Sequence, residues 1–456
     1  MPHSATIPAS FQSSIAAPRR GFLRELTWAS ALTLLVMLPV LVSPPLRRGT
    51  ELEHGVRTVY IAGPVHVNIG IDAPLFVLLA SDPRLLLEPQ GRLWQSRPLY
   101  PALGWTLARP FRAVGLGALG ERAFAGQPLP RLPQSYGSFL PEFAGLIVLN
   151  GLLVAISVML LRRLLDARSL LAPEMLLPAT LLLANEVTKP GFWTPHLQMF
   201  NLLVPLATLN LLVWLRPRLT GLRAGHFAAL GLALGVGGLA YGAFAIAAGA
   251  AALCIVLQRP PETRLVSRSL HALLVLAAFS VPMILWVAFV QARTGSFYFH
   301  ETEQYRQFVW LVDAAWQGIG ALGAALAHNL SVYLTTLVRV LDFPVLLLGL
   351  LWIAVWALGA AAPLDARERA VALAAALYVA VSVPFYALMG YYATRLTWTV
   401  VPALLPFFAF AVVRLRRSAR PGVQVGATVA VIALAAGCYV YWVIWAAPVF
   451  LRVRPR

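Results

Sequence analysis

The sequence predicts an all-α protein, a polytopic transmembrane helical bundle of about eleven spans, and three observations carry that prediction. Of 456 residues, 59% are hydrophobic and only 12% are charged. The mean hydropathy is +0.74, whereas a typical soluble domain carries roughly 25% charged residues. The apolar residues come in long runs close to the ~20 residues that cross a hydrocarbon core, and the charges fall almost entirely between these runs. Length alone would point to about three soluble domains, but that much apolar surface has no soluble arrangement. Cys254 and Cys438 each sit inside an apolar run, which argues against a disulfide framework or a cysteine metal site.

Taken in order, residues 1–25 read as a disordered cytoplasmic tail, rich in Ser, Ala and Pro and ending in Arg19, Arg20 and Arg24. The apolar run Thr27 to Val42 follows, in a signal peptide's order of charge then apolar stretch. No small-residue cleavage site succeeds it, since Pro44-Pro45 and Arg47-Arg48 come next, so the run is read as a retained first span. Residues 26–456 then form one transmembrane domain. Its spans lie near 26–45, 139–161, 174–188, 197–215, 226–240, 242–258, 270–291, 343–361, 370–388, 396–413 and 423–448. The third, fifth and sixth are short, and Tyr241-Gly242 favours two short helices over one long one across 226–258.

The arginines give an independent reading of orientation. With the N-terminus inside, half of the 36 basic residues fall in short inner loops, for example Arg162, Arg163 and Arg168, then Arg216, Arg218 and Arg223, then Arg414, Arg416 and Arg417. The short outer loops hold Lys189 alone and Arg395 alone. That is the positive-inside bias, from which the long first outer loop is exempt. Arg452, Arg454 and Arg456 would lie outside and count against the assignment. The net charge of +18 therefore marks the inner face and gives no sign of nucleic-acid binding. The predicted location is a membrane crossed many times, with the N-terminus on the inner side and membrane lipids as partners.

This topology leaves two long polar segments outside, 46–138 and 292–342, which hold most of the carboxylates. Both contain apolar stretches at helical spacing, Leu75 to Leu87 and Ile319 to Val338, which suit amphipathic helices on the membrane surface. There is no internal repeat.

The first outer loop carries the richest constellation: Asp72-Ala-Pro-Leu-Phe76, then Ala80-Ser-Asp82-Pro83, then Trp94-Gln95-Ser96-Arg97-Pro98-Leu99-Tyr100-Pro101. Asp72 heads a short apolar helix, where the dipole keeps a carboxylate ionised. Two readings stand, a helix cap or a general base. The pattern of Asp, aromatic, Ala and Asp-Pro followed by Arg-Pro-Leu-Tyr-Pro resembles the first outer loop of bacterial membrane glycosyltransferases of the GT-C superfamily. The Tyr391-Tyr392-Ala-Thr-Arg395-Leu-Thr-Trp398 run at a span entrance agrees with that resemblance. Ile71-Asp72-Ala73 departs from the commoner aromatic-Asp-Gly form, and Phe76 replaces the usual Tyr.

The resemblance implies transfer of a sugar from a polyprenyl-phosphate donor to a cell-envelope glycan or glycolipid at the outer face, with Asp72 as catalytic base. Cations should then meet the leaving phosphate, and Arg97, Lys189, His196 and Arg395 are the candidates, with Tyr391 beside them. Lys189 and Arg395 could equally snorkel to headgroups within the aromatic belt. Glu301 and Glu303, in Phe297-Tyr-Phe-His300-Glu301-Thr-Glu303, offer further carboxylates for substrate or metal, or else the start of a surface helix. No cofactor is required by the sequence, which leaves metal dependence and oligomeric state open. A transporter or lipid-linked-glycan flippase would need ionisable residues in mid-span and two related halves, and neither is evident. An envelope polysaccharide polymerase or ligase would share the donor chemistry. The discriminating feature is convergence of Asp72, Arg97, Lys189 and Arg395 on one outer cavity.

Overall fold

The structure is a computed structural model describing residues 19–44, 56–70, 72–88, 95–123, 136–258, 264–390, 394–417 and 420–445. Helix α1 is Arg19–Met37, so the part of the expected tail from residue 19 onward is helical; residues 1–18, and Tyr391 among the candidate site residues, lie outside the described residues. A hairpin of β1 (Val56–Ala62) and β2 (Val65–Gly70) follows, then α2 (Ala73–Ser81), α3 (Leu99–Ala113) and α4 (Leu116–Ala123). The bundle continues with α5 (Leu140–Leu165), α6 (Pro173–Leu183), α7 (Thr188–Phe192), α8 (Phe200–Leu215), α9 (Ala224–Gly238) and α10 (Phe244–Gln258). Next come α11 (Leu265–Thr294), α12 (His300–Tyr305), α13 (Val309–Gln317) and α14 (Ile319–Ala357). The described chain ends with α15 (Ala366–Met389), α16 (Thr394–Thr397), α17 (Leu405–Arg416) and α18 (Pro421–Tyr439).

The fold is a polytopic helical bundle. Among the described residues, eight helical segments are long and apolar enough to cross a membrane. The shorter apolar helices Pro173–Leu183, Ala224–Gly238 and Phe244–Leu257 occupy the places of the expected short third, fifth and sixth spans. At 1.5 Å per residue α6 is about 16 Å long, roughly half a hydrocarbon core. By length, eight of the eleven expected spans are matched among the described residues.

Three local features differ from the expectation. The first outer segment opens with a two-stranded antiparallel sheet, Val56 paired with Gly70 and Val59 with Val67. Its β-branched residues favour a pleated strand, and Gly63, at φ +52°, supplies the left-handed turn residue. Helix α2 is no surface helix: Phe76, Leu79 and Ala80 are fully buried, packed among α3 and α5. Ile319 to Val338 does not form a separate surface element either, because the helix runs on through Pro344 to Ala357. Its 39 residues give about 58 Å, nearly twice the hydrocarbon thickness, so one end extends beyond it.

The two ends of the bundle differ in chemistry. At one end Arg162 pairs with Glu25, Arg367 with Asp166 at 3.0 Å, Arg416 with Glu174 at 3.0 Å and Arg414 with Glu368 at 2.6 Å. These are among the arginines assigned to the inner side. The other end gathers the loops around residues 72, 97, 196, 241, 301 and 395, all from segments assigned to the outer side.

Candidate functional site at the loop end of the bundle

Asp72 precedes α2, whose start is set by Pro74, a residue pre-formed for a first helical turn. A capping aspartate has extended backbone and bonds a free N–H of the first turn. Asp72 has φ −89° and ψ −15° and makes no such bond. Asp82, ten residues on, does cap: its Oδ1 accepts from the Arg84 amide at 3.0 Å. The carboxylate of Asp72 instead faces His196 Nε2 at 3.7 Å, with the two side chains only 16% and 12% exposed.

His196 is held by its surroundings. It is extended, φ −153° and ψ 150°, just before the 3-10 turn Leu197–Met199. Phe76 of α2 meets its ring edge-to-face at 5.9 Å and meets Tyr100 of α3 in the same way at 5.2 Å. The loop leading to it is fixed by Asn150, fully buried in α5, whose amide donates to the carbonyls of Phe192 at 3.1 Å and Thr194 at 2.8 Å. Arg395 Nη1 reaches the same His196 Nε2 at 3.5 Å. One imidazole nitrogen therefore bridges a carboxylate and a guanidinium, and its tautomer decides which of the two it hydrogen-bonds. The Arg395 carbonyl accepts from Asn201 at 2.7 Å, and the Asn201 side chain accepts from the Tyr241 hydroxyl.

The charges around the group follow from burial and from one another. Burial pushes the Asp72 carboxyl up, but contact with His196 and the charges of His196, Arg395 and His300 outweigh it, and the net direction is down. Asp72 is therefore ionised at neutral pH. Burial, helped by the charges of Arg395 and Arg97, lowers His196 below its ordinary 6.5. His196 thus enters as a neutral bridge, although its place among the candidates was as a cation.

Next to this group, Arg97 Nε donates to Glu301 Oε1 at 2.7 Å, and its guanidinium lies 5.5 Å from the centre of the Tyr241 ring. Burial pushes Glu301 up, and the Arg97 charge reverses the direction, so Glu301 stays ionised. Both residues line a cavity of about 280 Å³ whose walls include Tyr241, Phe279, Phe299 and Phe385. Glu303 is exposed, and its charge opposes the lowering of His300 by burial. Lys189 belongs to α7 and is buried. Burial lowers it to about 8. Asp72, His196 and Arg395 thus stand together, with the Arg97–Glu301 pair beside them. No three His, Cys, Asp or Glu side chains stand together as a metal site among the described residues.

No family model matches the chain, and no curated protein matches it. The chain is similar to the crystal structure of ArnT from Cupriavidus metallidurans bound to undecaprenyl phosphate. That likeness stands at 16% identity and a TM-score of 0.45, over 92% of this chain and 64% of that one.

Four contributors were not among the sequence candidates: Asn150, Asn201, Tyr241 and His300. Asn201 and Asn150 did carry a legible signal, an amide inside an apolar run, because an unpaired polar group there is costly. Tyr241 marked only a helix break, and His300 was overlooked beside Glu301.

Proposed function

We propose that the chain transfers a sugar from a polyprenyl-phosphate donor to a hydroxyl of a cell-envelope glycan or glycolipid, at the outer face of a bacterial cytoplasmic membrane. The observation that carries this reading is the uncapped Asp72. An ionised carboxylate, free of helix capping, faces a neutral imidazole and the charge of Arg395 at the end of the bundle opposite its arginine-rich face.

The acceptor oxygen attacks the anomeric carbon and the C–O bond to phosphate breaks, its electron pair leaving with the phosphate. The proton lost by the acceptor passes to Asp72, with His196 Nε2 next in line at 3.7 Å. Arg395 meets the charge that develops on the departing phosphate, as a preorganised cation in a site shielded from water. Arg97 already serves Glu301 and contributes mainly by holding that carboxylate. The buried pair Arg414–Glu368 joins the last turn of one helix to the first turn of another.

The test uses the purified full chain in lipid nanodiscs, a panel of polyprenyl-phosphate sugars and an envelope glycolipid acceptor. Loss of the base in Asp72→Asn should lower transfer about 10²- to 10⁴-fold with the fold intact. Full transfer by Asp72→Asn, or no transfer by the unaltered chain from any donor of the panel, refutes the reading.

A further inference from the structure

The arginine-rich end of the bundle divides into two halves of unlike charge balance. In one half carboxylates meet the arginines: Glu25 with Arg162, Asp166 with Arg367, Glu174 with Arg416 and Glu368 with Arg414. The other half is built from the turn Arg216–Gly221, the end of α10 and the starts of α9 and α11. Between residues 216 and 271 the sequence sets Arg216, Arg218, Arg223, Arg259, Arg264 and Arg268 against Glu262 alone. Arg259 and Glu262 lie outside the described residues. Among the described residues, no ion pair includes Arg216, Arg218, Arg223, Arg264 or Arg268.

Packing draws these arginines together. Helices α9 and α11 run parallel in one register: the Phe227 and His271 rings lie 4.7 Å apart, Gly231 meets the Val275 carbonyl and Gly235 the Phe279 carbonyl, each too closely for a methyl. The same register, followed one turn further toward the helix starts, sets Arg223 level with Ser267 and next to Arg268. Arg268 Nη1 donates to the Val256 carbonyl at 2.9 Å, which joins the end of α10 to the group, and the charge of Arg216 reaches Cys254 of the same helix. Arg218 lies over the Trp214 ring, 5.0 Å from its centre. Arg216, Arg223 and Arg264 are exposed. So are the large apolar side chains of the same turns, Trp214, Leu257, Leu265, Val266 and Leu270.

Like charges gathered in this way repel one another, and the described protein supplies no carboxylate to offset them, so the counter-charge has to come from outside. A guanidinium group pairs with phosphate through two parallel hydrogen bonds, and basic clusters between membrane helices are built to take phosphate headgroups. The apolar flank adds a second requirement, because a soluble anion has nothing to bury there and an acyl chain does. We propose that this half of the arginine-rich end binds the headgroup of an anionic glycerophospholipid, whose acyl chains lie along α10 and α11 in the adjoining leaflet. The inference is independent of the transfer reaction and of the site around Asp72.

Lipid binding to the full chain in a neutral detergent, followed by native mass spectrometry, tests it with phosphatidylglycerol, phosphatidylcholine and polyprenyl phosphate as separate probes. An arginine near an anionic headgroup contributes about fivefold. The unaltered chain should therefore prefer phosphatidylglycerol to phosphatidylcholine, and the triple variant Arg216→Gln/Arg223→Gln/Arg264→Gln should weaken phosphatidylglycerol binding about 10- to 100-fold. Arg24, Arg369 and Arg417 are exposed at the same end, in the half where carboxylates already meet the arginines. Their triple change to Gln removes the same charge and should weaken binding about threefold or less. If the first triple variant folds poorly, Arg264→Gln alone should still cost about fivefold. No preference for phosphatidylglycerol in the unaltered chain, equal losses in the two triple variants, unchanged binding in Arg264→Gln, or tighter binding of polyprenyl phosphate than of phosphatidylglycerol overturns the proposal.

Discussion

Replacing Arg112 by Met removes a single side chain that ties three elements together near the site. Its Nε donates to Glu142 Oε1 at 2.6 Å, and its Nη2 reaches the carbonyls of Ala80 at 3.0 Å and Ser81 at 3.4 Å. Those carbonyls belong to the last turn of α2, where no intrahelical donor remains for them, and the opposite end of α2 carries Asp72. In Arg112→Met, Glu142 is left as a carboxylate only 5% exposed, without its cation. Breaking a fully buried pair in this way costs about 3–5 kcal/mol. Because Arg112 itself is 33% exposed, we discount that to about 2–3 kcal/mol, in line with the loss of one or two hydrogen bonds to charged groups. Denaturation of the full chain in mixed micelles measures the change. The double variant Arg112→Met/Glu142→Leu should regain most of it, since an apolar pair of similar volume is often as stable as a buried ion pair. Transfer should stay reduced in the double variant, because the carbonyls of α2 remain unanchored and Asp72 shifts with them. A loss within about 0.5 kcal/mol, as at an ordinary surface site, or a double variant no more stable than the single, refutes the reasoning.

Lys189 gives a prediction about pH. Its folded pKa is lowered to about 8 by burial from an ordinary 10.5. Between those values the unfolded chain binds the proton and the folded chain does not, so stability rises with pH across that window. Below about 8 the full cost of the buried charge is present. Lys189→Met should remove this rise in unfolding free energy between pH 8 and 10.5, and an unchanged pH profile refutes it. Gly145 gives a prediction about packing: a methyl there would lie 2.7 Å from the Ala108 amide nitrogen and 2.8 Å from the Gly104 carbonyl. Both are backbone atoms of α3, so they cannot swing aside. Gly145→Ala should destabilise the chain by about 1–3 kcal/mol through overpacking, as measured by thermal unfolding, and a neutral effect refutes the close α3–α5 contact.

Much of the architecture was legible because a bilayer dictates it locally. Helices Leu140–Leu165 and Ala366–Met389 stand within a few residues of their expected places, since a span must be apolar for its whole length. Tyr241-Gly242 separated α9 from α10 as read. The continuous α14 was not legible, because a proline and two charged residues read as a boundary in sequence while the helix tolerates them when the end of the span lies outside the membrane. The hairpin was missed for a related reason: in a chain dominated by hydropathy, a short run of β-branched residues is easily passed over.

The site divides along the same line. The sequence by itself determined that a carboxylate would head an apolar helix in the first outer loop, that arginines would crowd one face, and that Arg97, His196, Glu301 and Arg395 would share the other. Each of those follows from composition or from spacing along one element. Only the tertiary structure decided whether Asp72 caps its helix or faces a partner, that His196 bridges it to Arg395, and that Glu301 takes up Arg97. Those outcomes depend on how α2, α3, α5 and the loops before α8 and α17 pack against one another. That packing is set by side-chain shape between residues hundreds of positions apart, and no local periodicity records it.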